Sequence, residues 1–414
     1  MPESWDALVI GAGVGGLCAA ARLASRGYRT LVVEDRDRVG GRASTHTIDG
    51  FSVNTGAIAI EYGGVLEETF KTVGAPFDVR LPQPATKFRL GGKEVSLQRT
   101  PLGAVVNAAL KRGAQLLRSD DGTTTVREWL DGHTSNETVH AIFRNLCAAI
   151  FAVNDDELPV RAFMTYFLTK GAFREFGFSP TGTLGLMQGL ADAVERHGGE
   201  VRLNSRVEAL EVDDGRVVAA RVDGSVVRAN VVVSNVGPEA TVALAGRGNF
   251  DGAYLDQMDR ELHPTANIVF NIASDEPLLR APGMVTFGIT RRLCNMANLT
   301  ATCPELAPVG KHLYVAYGVP KPAVGEFDEQ AEIDLTLEDL HDQIPAFDAE
   351  AQILSIEVMR GDWPAQRSIA GHDLPRETPL VNLWNVGDAV RTYGSGGVQA
   401  CAETAKLVVE EIAG

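Results

Sequence analysis

Trp5-Asp-Ala-Leu-Val-Ile10-Gly11-Ala-Gly13-Val-Gly15-Gly16-Leu17 joins a short apolar run to a glycine-rich turn. The apolar run has the unbroken character of a parallel strand buried on both faces. Leu17 to Arg26 is Ala-rich and reads as a helix, Gly27 ends it, and Tyr28 to Val33 reads as a second strand closed by Glu34. A strand–turn–helix–strand unit of about 30 residues is what a dinucleotide site requires. Gly11 permits the tight turn, Gly13 lets backbone approach a pyrophosphate, and Gly16 lets the helix pack on the strand. The helix N-terminus offers free N–H groups and a positive dipole end to phosphates. Glu34 stands where a carboxylate accepts both ribose hydroxyls, and its charge disfavours a 2′-phosphate. A dinucleotide other than NADP is expected.

The residues that follow favour flavin over nicotinamide. Val33-Glu34-Asp35-Arg36-Asp37-Arg38-Val39-Gly40-Gly41-Arg42 resembles the second signature of the flavin amine oxidase and phytoene desaturase superfamily. Gly40 and Gly41 can take dihedrals closed to other residues, and Arg42 is a planar, permanently charged donor for phosphate. Gly50-Phe-Ser-Val-Asn54-Thr-Gly56 resembles a family stretch ending in Asp-x-Gly, with Asn54 here in place of the usual Asp. Near the C-terminus, Leu380 to Val386 reads as a strand, followed by Gly387-Asp388, Tyr393-Gly394-Ser-Gly396-Gly397-Val398 and a helix from Gln399 to Ile412; this resembles the family's closing motif.

In the middle, Gly182-Thr-Leu-Gly-Leu-Met-Gln-Gly-Leu190, Gly198 to Val207 and Val231-Val-Val-Ser-Asn235-Val-Gly-Pro238 are similar to the phytoene desaturase-like branch. The resemblance covers residues 1–75, 180–245 and 355–414. It implies FAD as cofactor, held by Gly11, Gly13, Gly16, Glu34, Asp35, Arg36, Gly41, Arg42, Gly56, Ala57, Val207, Asn235, Gly387, Asp388, Gly397 and Val398. In that reading Arg42 lies against the pyrophosphate, the backbone of Val207 reads the adenine, and Asp388 lies by the ribityl chain. The helix after Gly397 would stabilise negative charge on reduced flavin.

The fold expected is α/β (α+β): a discontinuous Rossmann-type FAD-binding domain with an inserted mixed-sheet and helical substrate domain. The FAD-binding domain is expected from residues 1–78, 180–248 and 354–414, and the cap from residues 79–179 and 249–353. Alternation around Asn267 to Ile272 and Leu313 to Val319 suggests the sheet that floors the pocket. Residues 101–118 read as an amphipathic cap helix, with a membrane-docking role as the alternative. The acid-rich run Glu326 to Asp342 reads as a solvated helix face.

Composition sets outer limits. The chain has 414 residues, 45% apolar and 22% charged, with 43 Gly and 19 Pro, which is globular and long enough for two joined domains. Lys and Arg total 38 against 54 acids, for −16; a surface that acidic repels phosphate backbones, so no nucleic-acid partner is expected. Five scattered cysteines form neither a zinc cluster nor a disulfide frame. With a strand at once at the N-terminus and no apolar run of about 20 residues, neither a signal peptide nor an integral membrane segment is expected. A cytoplasmic location is expected. Oligomeric state is not legible.

A flavin so held accepts hydride from a C–H bond, while protein supplies position, exclusion of water and a base. No nucleophile elbow or metal spacing appears. Resemblance to the branch implies a desaturase, dehydrogenase or isomerase acting on C–C bonds, with a small apolar substrate (an alicyclic ketone or terpenoid) and oxygen or a quinone as electron acceptor. Other readings are a carotenoid-type isomerase or desaturase, and a flavin amine oxidase with Tyr393 and Trp384 as an aromatic cage. A last one is a non-enzymatic relative like the GDP-dissociation inhibitors, which the joint presence of Glu34, Arg42 and Asp388 opposes. Tyr393 is the candidate catalytic residue, as base or as pocket wall; Glu61, Lys87 and Lys170 are further polar candidates.

Overall fold

A computed structural model describes residues 3–96, 122–169 and 175–414, with positions 103, 104 and 108 between them. Apart from those three positions, the helix expected over 101–118 lies outside the described residues, as does Lys170.

Two seven-stranded sheets carry the structure. In the first, Glu3–Ile10 lies between Ser225–Ser234 and Thr30–Val33, parallel to both. Glu200–Arg202 extends one edge in parallel, and Leu383–Asn385 pairs in parallel with Ser225–Ser234. Val207–Asp213 and Arg216–Val222 add an antiparallel flank. Leu8, Val9, Leu31 and Val32 are fully buried, as an apolar run covered on both faces must be. The helix Val14–Ser25 covers one face, packed with helices Val65–Val73, Gly182–Arg196 and Gly397–Ala413. Its approach depends on Gly16, where a Cβ would stand 2.0 Å from the carbonyl oxygen of Gly11.

The second sheet runs Ala351–Met359, Asn267–Ser274, His312–Gly318, Leu293–Asn298, Met284–Phe287, Thr86–Leu90, Lys93–Val95. All neighbours are antiparallel except Met284–Phe287 with Thr86–Leu90. Alternation sorts its two faces. Ile268, Phe270, Val285, Met296, Tyr314 and Ala316 pack with Leu340, Ile344 and Phe347 of the covering helical segment. On the opposite face Val269, Ala273, Ala297, Leu313 and Val315 pack with Phe51, Val53, Ile58, Phe176 and Phe178. The strand Ala351–Met359, which spans the expected boundary at 353/354, pairs in this second sheet.

A helical cluster closes one side: Val126–Asp131, Glu137–Phe151 and Val160–Thr169, with Phe143, Phe151, Phe163 and Trp129 at its core. Thr125 and Glu128 form a reciprocal capping box on the first of these helices. Six of the eight acids from Glu326 to Asp342 are exposed, as expected of a solvated face, but Glu332 and Asp339 on the helix Glu329–Gln343 are buried. Asp339 is 1% exposed and accepts the backbone N–H groups of Arg291, Arg292 and Leu293, while Glu332 pairs with Arg292. Spacing alone does not distinguish these acids, which fasten the helix to the turn before Leu293–Asn298, from their exposed neighbours.

Candidate active site

A cavity of about 710 Å³ lies where the two sheets and the helical cluster meet, within the roughly 300–1,000 Å³ usual for ligand sites. One part is lined by the glycine turn, Glu34, Asp35, Arg36, Gly41, Arg42, Val207, Asn235, Arg367 and Asp388. The other is mostly apolar, with Ile58, Ala148, Ala152, Met284 and Met359, and carries Glu61, Tyr166, Asn267, Asn295 and Tyr317.

Glu34 ends the strand Thr30–Val33 and is 7% exposed. Its Oε2 accepts the N–H of Ala12 at 2.7 Å and its Oε1 the N–H of Arg36 at 3.1 Å. Burial pushes its pKa up against the pull of those two N–H groups. The Arg36 guanidinium stacks on Trp363, 3.8 Å from the ring centroid. The N–H of Ser205, just before Val207, donates to the Glu34 carbonyl at 2.9 Å, which brings that strand to the same end of the cleft.

Gly40 and Gly41 have φ of +98° and +58°, and the N–H of Gly40 donates to the Ala12 carbonyl at 2.8 Å. The second turn therefore lies on the first. Arg42, which follows, is committed to protein partners: Nη1 and Nη2 donate to Asp388 at 2.8 and 2.6 Å, and Nη1 also to the carbonyls of Pro364 and Ala365. Burial alone would raise the Asp388 carboxyl. The charge and hydrogen bonds of Arg42, with Arg367 and Arg391 nearby, outweigh it and hold the group well below the usual carboxylate range.

Arg367 belongs to no motif in the sequence. Its backbone N–H donates to Asp388 at 3.0 Å, but among the described residues its side chain makes no hydrogen bond or ion pair. The guanidinium fills the space left by Gly237, whose Cβ would come within 3.0 Å of Nη1, at the N-terminus of helix Pro238–Ala245. Burial and then the charge of Arg42 push its pKa down. A cation so placed, beside one helix N-terminus and lining the cleft with the glycine turn, calls for an anionic ligand.

The remaining cofactor candidates fall in two groups. Asn235 donates its Nδ2 to the Val386 carbonyl at 3.0 Å, tying the first sheet's central turn to the C-terminal one. Asn235, Gly56, Ala57, Gly397 and Val398 line the cavity. Gly16 and Gly387 stand behind the lining, where Gly387 donates its N–H to Thr404 Oγ1 at 2.9 Å. Asn54 is structural: its N–H and carbonyl both bond the Asn271 carboxamide at 3.0 Å.

Tyr393 is not brought to the cavity wall. Its ring packs in the helical cluster, beside Gly371 and 5.3 Å from the Arg161 guanidinium. Trp384 packs on the core of the first sheet. Lys87 bonds Ser96 on the second sheet. Glu61, by contrast, lines the chamber and accepts the Tyr166 hydroxyl at 2.9 Å. Burial, then the Glu61 charge, push the Tyr166 pKa far up. Burial does the same to Tyr317, whose hydroxyl donates to the Gly56 carbonyl at 2.6 Å. Tyr166 and the chamber asparagines carry no local motif; only the paired asparagines on one strand face, at 267 and 271, were visible in principle.

These residues fit FAD. A carboxylate fixed at a strand end suits a ribose, the glycine turn with the unpaired Arg367 suits two phosphates, and the apolar chamber suits a ring. The family model for flavin containing amine oxidoreductase matches residues 14–413. A phytoene dehydrogenase of Streptomyces griseus is 27% identical, covering 98% of this chain and 95% of the relative. The 15-cis-phytoene desaturase of Capsicum annuum is 22% identical over 98% of this chain and 77% of its own. The crystal structure of an oxidoreductase from Methanosarcina mazei superposes with a TM-score of 0.88 at 27% identity, covering 98% and 99% of the two chains. A polar dinucleotide cleft opening on an apolar chamber, and a family match over almost the whole length, make this chain an FAD-dependent oxidoreductase of the flavin containing amine oxidoreductase family, in its phytoene desaturase-like branch.

Proposed function

We propose that the protein forms a C=C bond in a small, largely apolar substrate, such as an alicyclic ketone or terpenoid, and passes the electrons to oxygen or a quinone. The observation that carries this reading is the chamber beyond the cleft, walled by Ile58, Ala148, Ala152, Met284 and Met359. FAD, when bound, supplies the two-electron oxidation of a C–H bond. The chain's residues do the rest. Glu34 would hold the ribose, the turn at Gly11 to Gly16 and Arg367 would face the phosphates, and the Arg42–Asp388 pair ties the Gly40–Gly41 turn to the turn at Gly387. The helix Gly397–Ala413 directs its N-terminus at the cleft, where its dipole favours a gain of negative charge.

Removing hydride from one carbon requires a proton to leave the next, and that proton needs an acceptor. Glu61 is the carboxylate on the chamber wall, oriented by the Tyr166 hydroxyl, and is assigned that role in place of Tyr393. The amine oxidase reading loses support because neither Tyr393 nor Trp384 lines the cavity. All five cysteines are free and four are buried, which suits a reducing cytoplasmic setting. Among the described residues no helix is long and apolar enough to cross a membrane. A substrate deuterated at two adjacent carbons tests the chemistry: loss of one deuterium from each supports the reading, and loss only from a carbon bearing nitrogen sinks it.

A further inference from the structure

The chamber wall contributed by the second sheet carries a polar patch. Asn295 stands directly opposite Tyr317, and Tyr317 opposite Val269 on the next strand. Opposed residues share a face, and Asn267, two positions from Val269, joins them on it. Asn267, Asn295 and Tyr317 all line the cavity. Tyr317 is satisfied by the Gly56 carbonyl. The two carboxamides are not: the Oδ1 atoms of both are buried with no partner among the described residues, and Asn295 is 2% exposed.

Another asparagine on this face shows what a structural role looks like. Asn271, fully buried, accepts the Asn54 N–H and donates to the Asn54 carbonyl and to Ser355 Oγ. The fold therefore satisfies an asparagine where one holds strands together. Apolar or β-branched residues suit a strand wall at positions 267 and 295 better than an unengaged carboxamide does. A hydrocarbon filling the chamber would return no hydrogen bond to either carboxamide. A substrate hydroxyl would supply the donor that the Oδ1 atoms lack, and a carbonyl would accept from the Nδ2 groups.

We infer that Asn267 and Asn295 are specificity-determining residues that bind the carbonyl or hydroxyl group of an otherwise apolar substrate, so that the protein takes ketones or alcohols over all-carbon polyenes. This inference rests on the oxidoreductase reading above and narrows its substrate. Each carboxamide offers both a donor and an acceptor, so either oxygen function can be met.

Limonene, carvone and carveol share one skeleton and differ only in bearing no oxygen, a ketone or a hydroxyl. Calorimetry on the purified protein reads their affinities whatever its flavin content, which the visible spectrum reports separately. Carvone or carveol is expected to bind at least about tenfold more tightly than limonene, and the stronger of the two identifies the oxygen function. Asn295→Leu and Asn267→Leu should each reduce that preference, mainly by weakening the oxygenated probe, with flavin content and thermal midpoint held. Asn295→Ser, smaller and still polar, should keep part of it and serves if the leucine variants fail to fold. Limonene binding as well as the oxygenated probes, no binding of either oxygenated probe, or a preference that survives all three substitutions would overturn the inference. Protein that lacks flavin bands yet discriminates by oxygen would instead remove the parent reading and leave this one standing.

Discussion

Arg42 and Asp388, 346 positions apart, share a bidentate ion pair at 2.8 and 2.6 Å. It couples the turn after Val39 to the turn before the last helix, and Asp388 also takes the N–H of Arg367. Asp388→Asn leaves the Arg42 charge without its partner and should destabilise the protein by roughly 3 kcal/mol. The pH dependence has a fixed sign. Because the folded pKa of Asp388 lies below its unfolded value of about 3.9, its contribution is complete above that value and is lost as pH falls toward the folded one. Urea midpoints between pH 7 and pH 3 check both points, and equal midpoints for wild type and variant would contradict them.

Arg367→Gln removes a cation whose guanidinium forms no hydrogen bond or ion pair among the described residues, although Asp388, Glu239 and Asp362 act on its charge from a distance. FAD affinity should fall by about tenfold or more, the worth of a charge-assisted phosphate contact of roughly 1.5–3 kcal/mol. The thermal midpoint of the flavin-free protein should not fall. Titration of deflavinated protein with FAD measures the first and a melting curve the second; unchanged affinity would return the phosphate role to Arg42.

Glu34→Gln should weaken FAD binding through the ribose. In the flavin-free protein the raised pKa of Glu34 means that stability falls as pH rises from about 4.3 toward the folded value. The Gln variant lacks that slope. FAD titration together with stability across pH 4 to 7 checks the pair of effects, and a variant with native FAD affinity would show that the carboxylate serves only the Ala12 and Arg36 amides.

Much of this site was legible because its parts are local. The strand, turn and helix from Trp5 to Arg26 follow from an apolar run meeting closely spaced glycines, and Glu34 from the end of the next strand. What was not legible depends on strand register and long-range packing. No motif marks Arg367, whose meaning arises from the missing side chain at Gly237 and the commitment of Arg42 to Asp388. Asn267 and Asn295 come together across an intervening strand, His312–Gly318, that follows both in the chain. Tyr393 sits in a turn near the cleft along the chain, yet its ring packs into the helical cluster beside Gly371.

Glu61→Gln should keep FAD bound and slow flavin reduction by about 10²- to 10⁴-fold, the usual worth of a positioned base. Tyr393→Phe should reduce at close to the wild-type rate, because the ring does not face the chamber. Stopped-flow reduction of the two variants side by side distinguishes the assignments; a slow Tyr393→Phe with a fast Glu61→Gln would reverse them.

The most direct test of C–C bond oxidation is anaerobic mixing of the flavin-loaded protein with alicyclic ketones, terpenoids and amines while the visible flavin band is followed. Bleaching by a ketone or terpenoid, with a product that has lost two hydrogens, is the expected result. Bleaching by amines alone would contradict it.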